Sequence, residues 1–378
     1  MRILIVISGL GFGGAERQVV LMSRELRRRG HQVLIYTLNR EVPRRSELAE
    51  SGVELVVDQK RWRLDPLLLG RLRRTVVQWH ADVVHGFLYD GDFYVRLACW
   101  GLGVPVLNSE RNDAYTLSRL QRWGYRLTAG LVDGVVANSY AGASFARRLH
   151  GIEERSVHVV WNGIDLDEID ARLARSTRPA RQLNSEPGIK LACVVGAIKP
   201  QKDHALALRV CRELIDRDRS WRFLFVGDSL LEGSHYKKQV LEEHQRLGLQ
   251  GVASFVGLRQ DVPEIIASCD VLLVSSRYEG FPNVVLEAMS CGTPVATTDY
   301  SDVRRILPCA WQVASTRTPG ELADIVLRCH REAETLRQLQ RRWVETHASV
   351  SQTADSMLAV YGRYLRLPLG ATPIGSTR

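Results

Sequence analysis

Short apolar runs alternate with amphipathic stretches along nearly all of this 378-residue chain, and the alternation breaks once and then restarts. In the first half "RILIVIS", "QVLIYTL", "ADVVHGF", "VPVLNSER" and "VDGVVANS" read as strands that end in small or polar residues. Between the first two, "AERQVVLMSRELRRRG" carries apolar residues at helical spacing and closes on Gly30. Near-continuous apolar strands joined by helices suit a parallel sheet, whose two faces are both covered. From "VVWNGID" to Gly188 the pattern gives way to Asp, Arg, Ser and Pro. It resumes with "KLACVVG", "RFLFVGD", "ASFVG" and "VLLVSS". The expected fold is α/β: two doubly wound, Rossmann-like parallel-sheet domains facing each other across a cleft. Their expected bounds are 1–170 and 189–347, with a linker at 171–188. A C-terminal helix at 348–367 is expected to pack back on the first domain, ahead of a loose tail at 368–378.

Composition narrows the classes. No apolar run reaches about 18 residues, so no transmembrane helix is expected. The first run lacks a small-x-small cleavage site and leads straight into glycines, as a buried strand does rather than a signal peptide. Seven scattered cysteines form no C-x-x-C pair, so neither metal nor disulfide is expected and a reducing cytoplasm fits. A net charge of +9 favours anionic partners, though solubility alone explains it equally. No helix-turn-helix, zinc or aromatic RNA-binding motif points to nucleic acid.

Three stretches carry chemistry. In "GLGFGGAE", Gly9, Gly11 and Gly14 match G-x-G-x-x-G between a strand and a helix. The acid expected after the second strand is absent, and Arg40 stands where a 2′-phosphate would lie. An NADP-dependent oxidoreductase therefore stays open, as does a tight turn without ligand. In "VVGAIKPQKDHAL", Lys199 and Lys202 follow a strand's terminal Gly196 and suit a diphosphate. In "SSRYEGFPNVVLEAMSCGTPVATTD", Glu279 precedes a helix that Pro282 opens and Glu287 lies inside it. The N–H groups of Asn283, Val284 and Val285 are expected to be unpaired and ready for a phosphate. The two carboxylates would then hold the hydroxyls of a hexose and a ribose. Taken alone, they read rather as a solvated turn residue and a surface helix residue, and it is the apolar turn between them and the strand signal after it that favour a ligand site. "DGD", Asp90 to Asp92, reads as a loop and not as a metal-holding D-x-D.

In order along the chain, "GGAER", "NSER", "VVANS", "NGID", "VGAIKPQKD", "FVGLRQDV" and the E-x7-E stretch resemble the retaining glycosyltransferases of family 4, which have the GT-B fold. The resemblance implies transfer of a hexose from a nucleotide-diphosphate donor, UDP-sugar favoured, to a hydroxyl of a glycan or polyprenyl-diphosphate-linked acceptor in polysaccharide or lipopolysaccharide synthesis. It implies no cofactor and no metal. Glu279, His85 and Lys202 would be catalytic. Gly13, Gly14, Gly196, Lys199, Lys202, Gly257, Arg259, Glu279, Gly280, Phe281, Pro282, Asn283, Val284 and Glu287 would hold the donor, and Glu110 and Arg111 the acceptor. Ala197 departs from the basic residue usual after the strand glycine, which leaves the diphosphate to Lys202 or Lys199 and keeps a non-catalytic GT-B relative open. Arginines at 27–29, 61, 63, 71, 73 and 74, near Trp62 and Leu67 to Leu69, suit peripheral contact with an acidic cytoplasmic membrane face.

Overall fold

The first strand, β1 (Arg2–Ile7), divides its side chains between two cores. Ile3, Ile5 and Ile7 pack with Val19, Leu26 and Met357, while Leu4 and Val6 pack with Leu68, Leu72 and Tyr94. A strand whose alternate side chains are both buried must lie inside a covered sheet. The computed structural model places β1 inside a sheet of seven parallel strands, third in the order. The others are β2 (Gln32–Thr37), β3 (Glu54–Val57), β4 (Val83–Phe87), β5 (Val106–Glu110), β6 (Gly134–Ala137) and β7 (Val157–Val159). The order is β3-β2-β1-β4-β5-β6-β7. β3 and β7 lie at the two edges of the sheet and are only partly covered, so neither shows a continuous apolar run in the sequence. The structure describes all residues except 12, 63, 112–116, 177–187, 230–232 and 366–378. Most of the expected linker, the expected tail and Arg63 lie outside the described residues.

The second sheet holds β8 (Lys190–Val195), β9 (Trp221–Val226), β10 (Ala253–Gly257), β11 (Val271–Val274) and β12 (Val295–Thr297). It is also parallel, in the order β10-β9-β8-β11-β12. Its core gathers Phe223, Phe225, Trp221, Leu208, Val326 and Leu336. Both sheets thus reverse strand order beside their first strand, between β1 and β4 and between β8 and β11. In open parallel sheets that reversal opens a crevice at the carboxyl ends of the two strands, where ligands bind.

The chain divides into two compact units, Met1–Trp161 with Thr353–Arg378, and Asn162–Gln352. The expected first boundary at 170 falls inside the helix Leu166–Ala174, which groups with the second unit. The reason is local. Ile169 is buried there, Arg172 forms two 2.8 Å bonds to Glu264, and Arg341 grips Asp170 at 2.9 and 2.7 Å. The last helix runs Val350–Tyr364, and from Thr353 onward it belongs to the first unit. Ala354, Met357, Val360 and Tyr361 recur on one helical face and join the first core.

Candidate functional site

In the second unit the strand reversal brings together two loops far apart in sequence. The loop after β8 carries Gly196 to Asp203, and the loop after β11 carries Ser275 to Pro282. Lys202 Nζ lies 2.6 Å from Glu279 Oε1, with the two side chains only 18% and 12% exposed. Ser276 Oγ donates to the same carboxylate oxygen at 2.7 Å. Gln201 Nε2 donates to Oε2 at 3.1 Å and to the Tyr278 carbonyl at 2.9 Å. Glu279 is therefore held on both oxygens, which fixes its plane.

Gly196 makes this possible. Its φ is +148°, and a methyl group there would lie 2.9 Å from Lys202 Cε and 3.4 Å from Nζ. Lys202 lies back over the strand end through the space the glycine leaves. Lys199 opens the short 3₁₀ turn Pro200–Lys202, is exposed, and accepts the Lys202 N–H on its carbonyl at 3.0 Å. Asp203 follows with a left-handed φ of +50°, uncommon for a residue other than glycine. Its carboxylate caps the helix His204–Arg217 and takes Arg277 at 3.0 Å and Arg317 at 2.7 Å. Arg317 also donates to the carbonyls of Ser275 and Ser276 at 2.9 and 2.8 Å. Next to it, burial and then the Lys202 charge push His204 down to about 4, so its ring is neutral near pH 7.

The helix Asn283–Ser290 begins one residue later than expected, with Pro282 as its N-cap. Its first N–H groups are not all open, which corrects the expectation from sequence. Asn283 N–H donates to the Phe281 carbonyl at 3.0 Å and Val285 N–H to the Pro282 carbonyl at 3.0 Å, because the turn tightens onto buried Phe281. Asn283 Oδ1 also accepts a 2.7 Å bond from Asn162 of the "NGID" stretch. Gly280 gives its carbonyl to Ser301 Oγ at 3.0 Å, and Val284 and Glu287 are half-buried on the helix. Gly257 ends β10 at φ +68°, and Arg259 beyond it is paired with Asp261 by two 2.8 Å bonds.

The corresponding strand ends of the first unit differ. His85, on β4, is fully buried. Its Nδ1 lies 2.9 Å from the Tyr361 hydroxyl and its Nε2 2.8 Å from the Ser109 hydroxyl. Burial, and secondly the Arg111 charge, push its pKa well below the usual range. The ring, for which a catalytic role was expected, is covered, has both nitrogens engaged and ties β4, β5 and the last helix together. Glu110 and Arg111 are each more than nine-tenths covered. Arg111 sits 4.9 Å over the Phe87 ring, and burial pushes it down to about 10.

The "DGD" stretch lies on the helix Leu88–Cys99 and not in a loop, and its acids part company. Asp90 pairs with Lys60 at 2.5 Å. Asp92 turns inward, accepts from the Tyr125 hydroxyl at 2.8 Å and the Ser109 N–H at 3.2 Å, and is pushed up to about 7 by burial. Beside it, buried Arg96 donates to Asn108 Oδ1, the Tyr125 carbonyl and Thr128 Oγ1, each at 3.0 Å. In the glycine loop, a methyl group at Gly13 would lie 2.3 Å from Glu16 Oε2, and one at Gly11 3.3 Å from Glu41 Oε1. Two carboxylates crowd that turn, which disfavours a dinucleotide's pyrophosphate there. Gly14 is the first residue of the helix Gly14–Arg28.

Sequence reasoning missed Gln201, Ser276, Arg277 and Arg317 in the second unit and Arg96, Tyr125 and Tyr361 in the first, and read Asp92 only as part of a loop. Ser276 and Gln201 adjoin predicted residues. Arg317 and Tyr361 have no local signal.

The family model described as Glycosyltransferase Family 4 matches residues 12–168, and that described as Glycosyl transferases group 1 matches 189–332. The 2-deoxystreptamine glucosyltransferase of Streptomyces kanamyceticus is 26% identical over 333 residues, spanning 84% of this chain and 82% of that protein. The D-inositol 3-phosphate glycosyltransferase of Actinosynnema mirum is 26% identical over 398 residues, spanning 93% and 92%. Among solved structures, HepE of Anabaena in complex with UDP matches with a TM-score of 0.81 at 19% identity, covering 96% of this chain and all of that one. A glycosyltransferase of Rickettsia africae matches with a TM-score of 0.82 at 17% identity, covering 96% and 98%.

Proposed function

The chain belongs to glycosyltransferase family 4, with the GT-B fold of two parallel-sheet α/β units, and from that premise we propose that it transfers a hexose from a nucleotide-diphosphate donor, UDP-sugar favoured, to a hydroxyl of a glycan or polyprenyl-diphosphate-linked glycan with retention of configuration. The reading rests chiefly on one observation, the Lys202–Glu279 pair at the carboxyl-end reversal of the second sheet. The solved HepE structure with UDP lends support to a uridine donor. The place of the reaction is polysaccharide or lipopolysaccharide synthesis at the cytoplasmic face of a membrane. No helix among the described residues is long and apolar enough to cross one.

In this reading the donor lies along the turn Gly280, Phe281, Pro282, Asn283 and Val284. Glu279 accepts hydrogen bonds from the hexose and Glu287 from the ribose, with Gly257 and Arg259 beside the base. The diphosphate lies by Gly196, with Lys199 and Lys202 as its cations. As the anomeric C–O bond to phosphate breaks, negative charge grows on the diphosphate, and Lys202 stabilises it from a fixed position. The acceptor oxygen bonds the anomeric carbon from the same face, and its proton passes to a phosphate oxygen of the departing diphosphate. Glu110 and Arg111 stand on the acceptor side. No metal enters these steps.

A thermal-shift panel of UDP, GDP, ADP, dTDP, CMP and NADPH tests the reading. Saturation at about a hundredfold over Kd stabilises a protein by ~2.7 kcal/mol. A shift with one nucleoside diphosphate, lost in Glu287→Ala, is expected. A shift with NADPH alone would overturn it.

A further inference from the structure

The helix Arg119–Leu127 turns its apolar residues away from the unit that carries it. Leu120, Trp123 and Leu127 are 64%, 62% and 76% exposed. At about 100° per residue they fall within a stripe about 60° wide, on the side opposite Tyr125. Tyr125 is the inner anchor. It is 4% exposed, its hydroxyl is bound to buried Asp92, its ring meets Tyr89 edge-on at 5.1 Å, and its carbonyl takes Arg96. Gly124 lets the helix seat closely, since a methyl group there would lie 2.8 Å from the Tyr89 hydroxyl. A capping box of Ser118 and Gln121 fixes the first turn. The stripe is therefore held outward by a buried polar anchor.

The charge beside the stripe is of one sign. Arg119, Arg122 and Arg126 are exposed along its flank, and the helix, "RLQRWGYRL", contains no Asp or Glu. Leucines and a tryptophan bordered by arginines are what an in-plane interfacial helix needs. The apolar side chains enter the acyl boundary while the guanidinium groups meet anionic headgroups. The patch expected from sequence suits this task less well. Arg28 and Arg29 are bound to Glu25, Arg71 to Asp58 and Arg73 to the carbonyls of Ala98 and Trp100, while Leu68 is buried.

We infer that the helix Arg119–Leu127 docks the protein on an anionic lipid bilayer. This rests on the membrane-face reading above and names the surface that makes the contact. The test is co-sedimentation of the full chain with phosphatidylcholine vesicles, with and without phosphatidylglycerol. Two variants are compared, Leu120→Ser/Trp123→Ser/Leu127→Ser and Arg119→Gln/Arg122→Gln/Arg126→Gln. The wild type is expected to bind only the vesicles with phosphatidylglycerol, more weakly as salt rises. Each triple variant is expected to bind at least about tenfold more weakly, with melting temperature and nucleoside-diphosphate shift unchanged. Wild-type binding by both variants would overturn this inference and leave the membrane-face reading standing. No vesicle binding by the wild type would overturn both. Loss of self-association in the serine variant, with vesicle binding intact, would make the stripe a protein contact and also overturn it.

Discussion

At the strand reversal of the first unit, His85, Asp92, Arg96, Asn108, Ser109 and Arg111 form a polar cluster in which each residue is less than a tenth exposed. At the reversal of the second unit, Lys202 and Glu279 remain partly open, and Arg277 and Arg317 stand outside them at 61% and 38% side-chain exposure. The same topology thus supports two uses of charge. Buried and hydrogen-bonded to one another, polar groups lock backbone segments together, because stripping one of its main partners costs more than pairing returns. Partly exposed and held by neighbours, they stay available to a ligand without having to be ordered on its arrival.

The largest effect should come from breaking the lock. Arg96→Met would strand the Asn108 and Thr128 oxygens, the Tyr125 carbonyl and the Asp92 charge, costing about 3–5 kcal/mol; urea unfolding would register it as a lower midpoint. Activity separates the units next. Lys202→Ala or Glu279→Ala should cut kcat by ~10²–10³, whereas His85→Gln should leave kcat within a few-fold in steady-state sugar-transfer assays. A large kcat loss in the His85 variant would erase the distinction.

The pH response sharpens the comparison further. His204 is depressed to about 4 from its ordinary value of 6.5, so the unfolded chain takes up the proton first on acidification. Its contribution, up to about 3 kcal/mol, is present above pH 6.5 and lost as pH falls through about 4. Asp92 is raised from 3.8 to about 7, so its contribution has the opposite sign. It is present below pH 3.8 and lost as pH rises through about 7. Urea midpoints from pH 4 to 7 should therefore rise less steeply in His204→Asn than in the wild type, and more steeply in Asp92→Asn. The smallest of these effects is geometric. Gly196→Ala, at φ +148° and against Lys202, should strain the turn by about 1–3 kcal/mol and raise the donor KM by displacing that ammonium. Initial rates at varied donor concentration would show it.

What could be read in advance follows how local each signal was. β1, β8 and β11 are unbroken apolar runs, and the E-x7-E turn lies within a dozen residues, so strands and donor turn were legible together. Lys202 was legible because it follows a strand glycine. The fate of His85 was not, since its partner Tyr361 lies 276 residues away. Nor was the commitment of the Asn283 and Val285 N–H groups, which depends on how tightly the turn closes over Phe281. Arg119–Leu127 escaped notice because its apolar residues face outward, so its pattern does not mark a core.

The first unit is assembled from both ends of the chain, with about 190 residues of the second inserted between them. During synthesis at about 5–20 residues per second, roughly 10–40 s pass between the emergence of Trp161 and that of Thr353. Through that interval the groove meant for Ala354, Met357, Val360 and Tyr361 is unfilled, and the His85 ring lacks its tyrosine. The second unit, continuous in sequence, can close first.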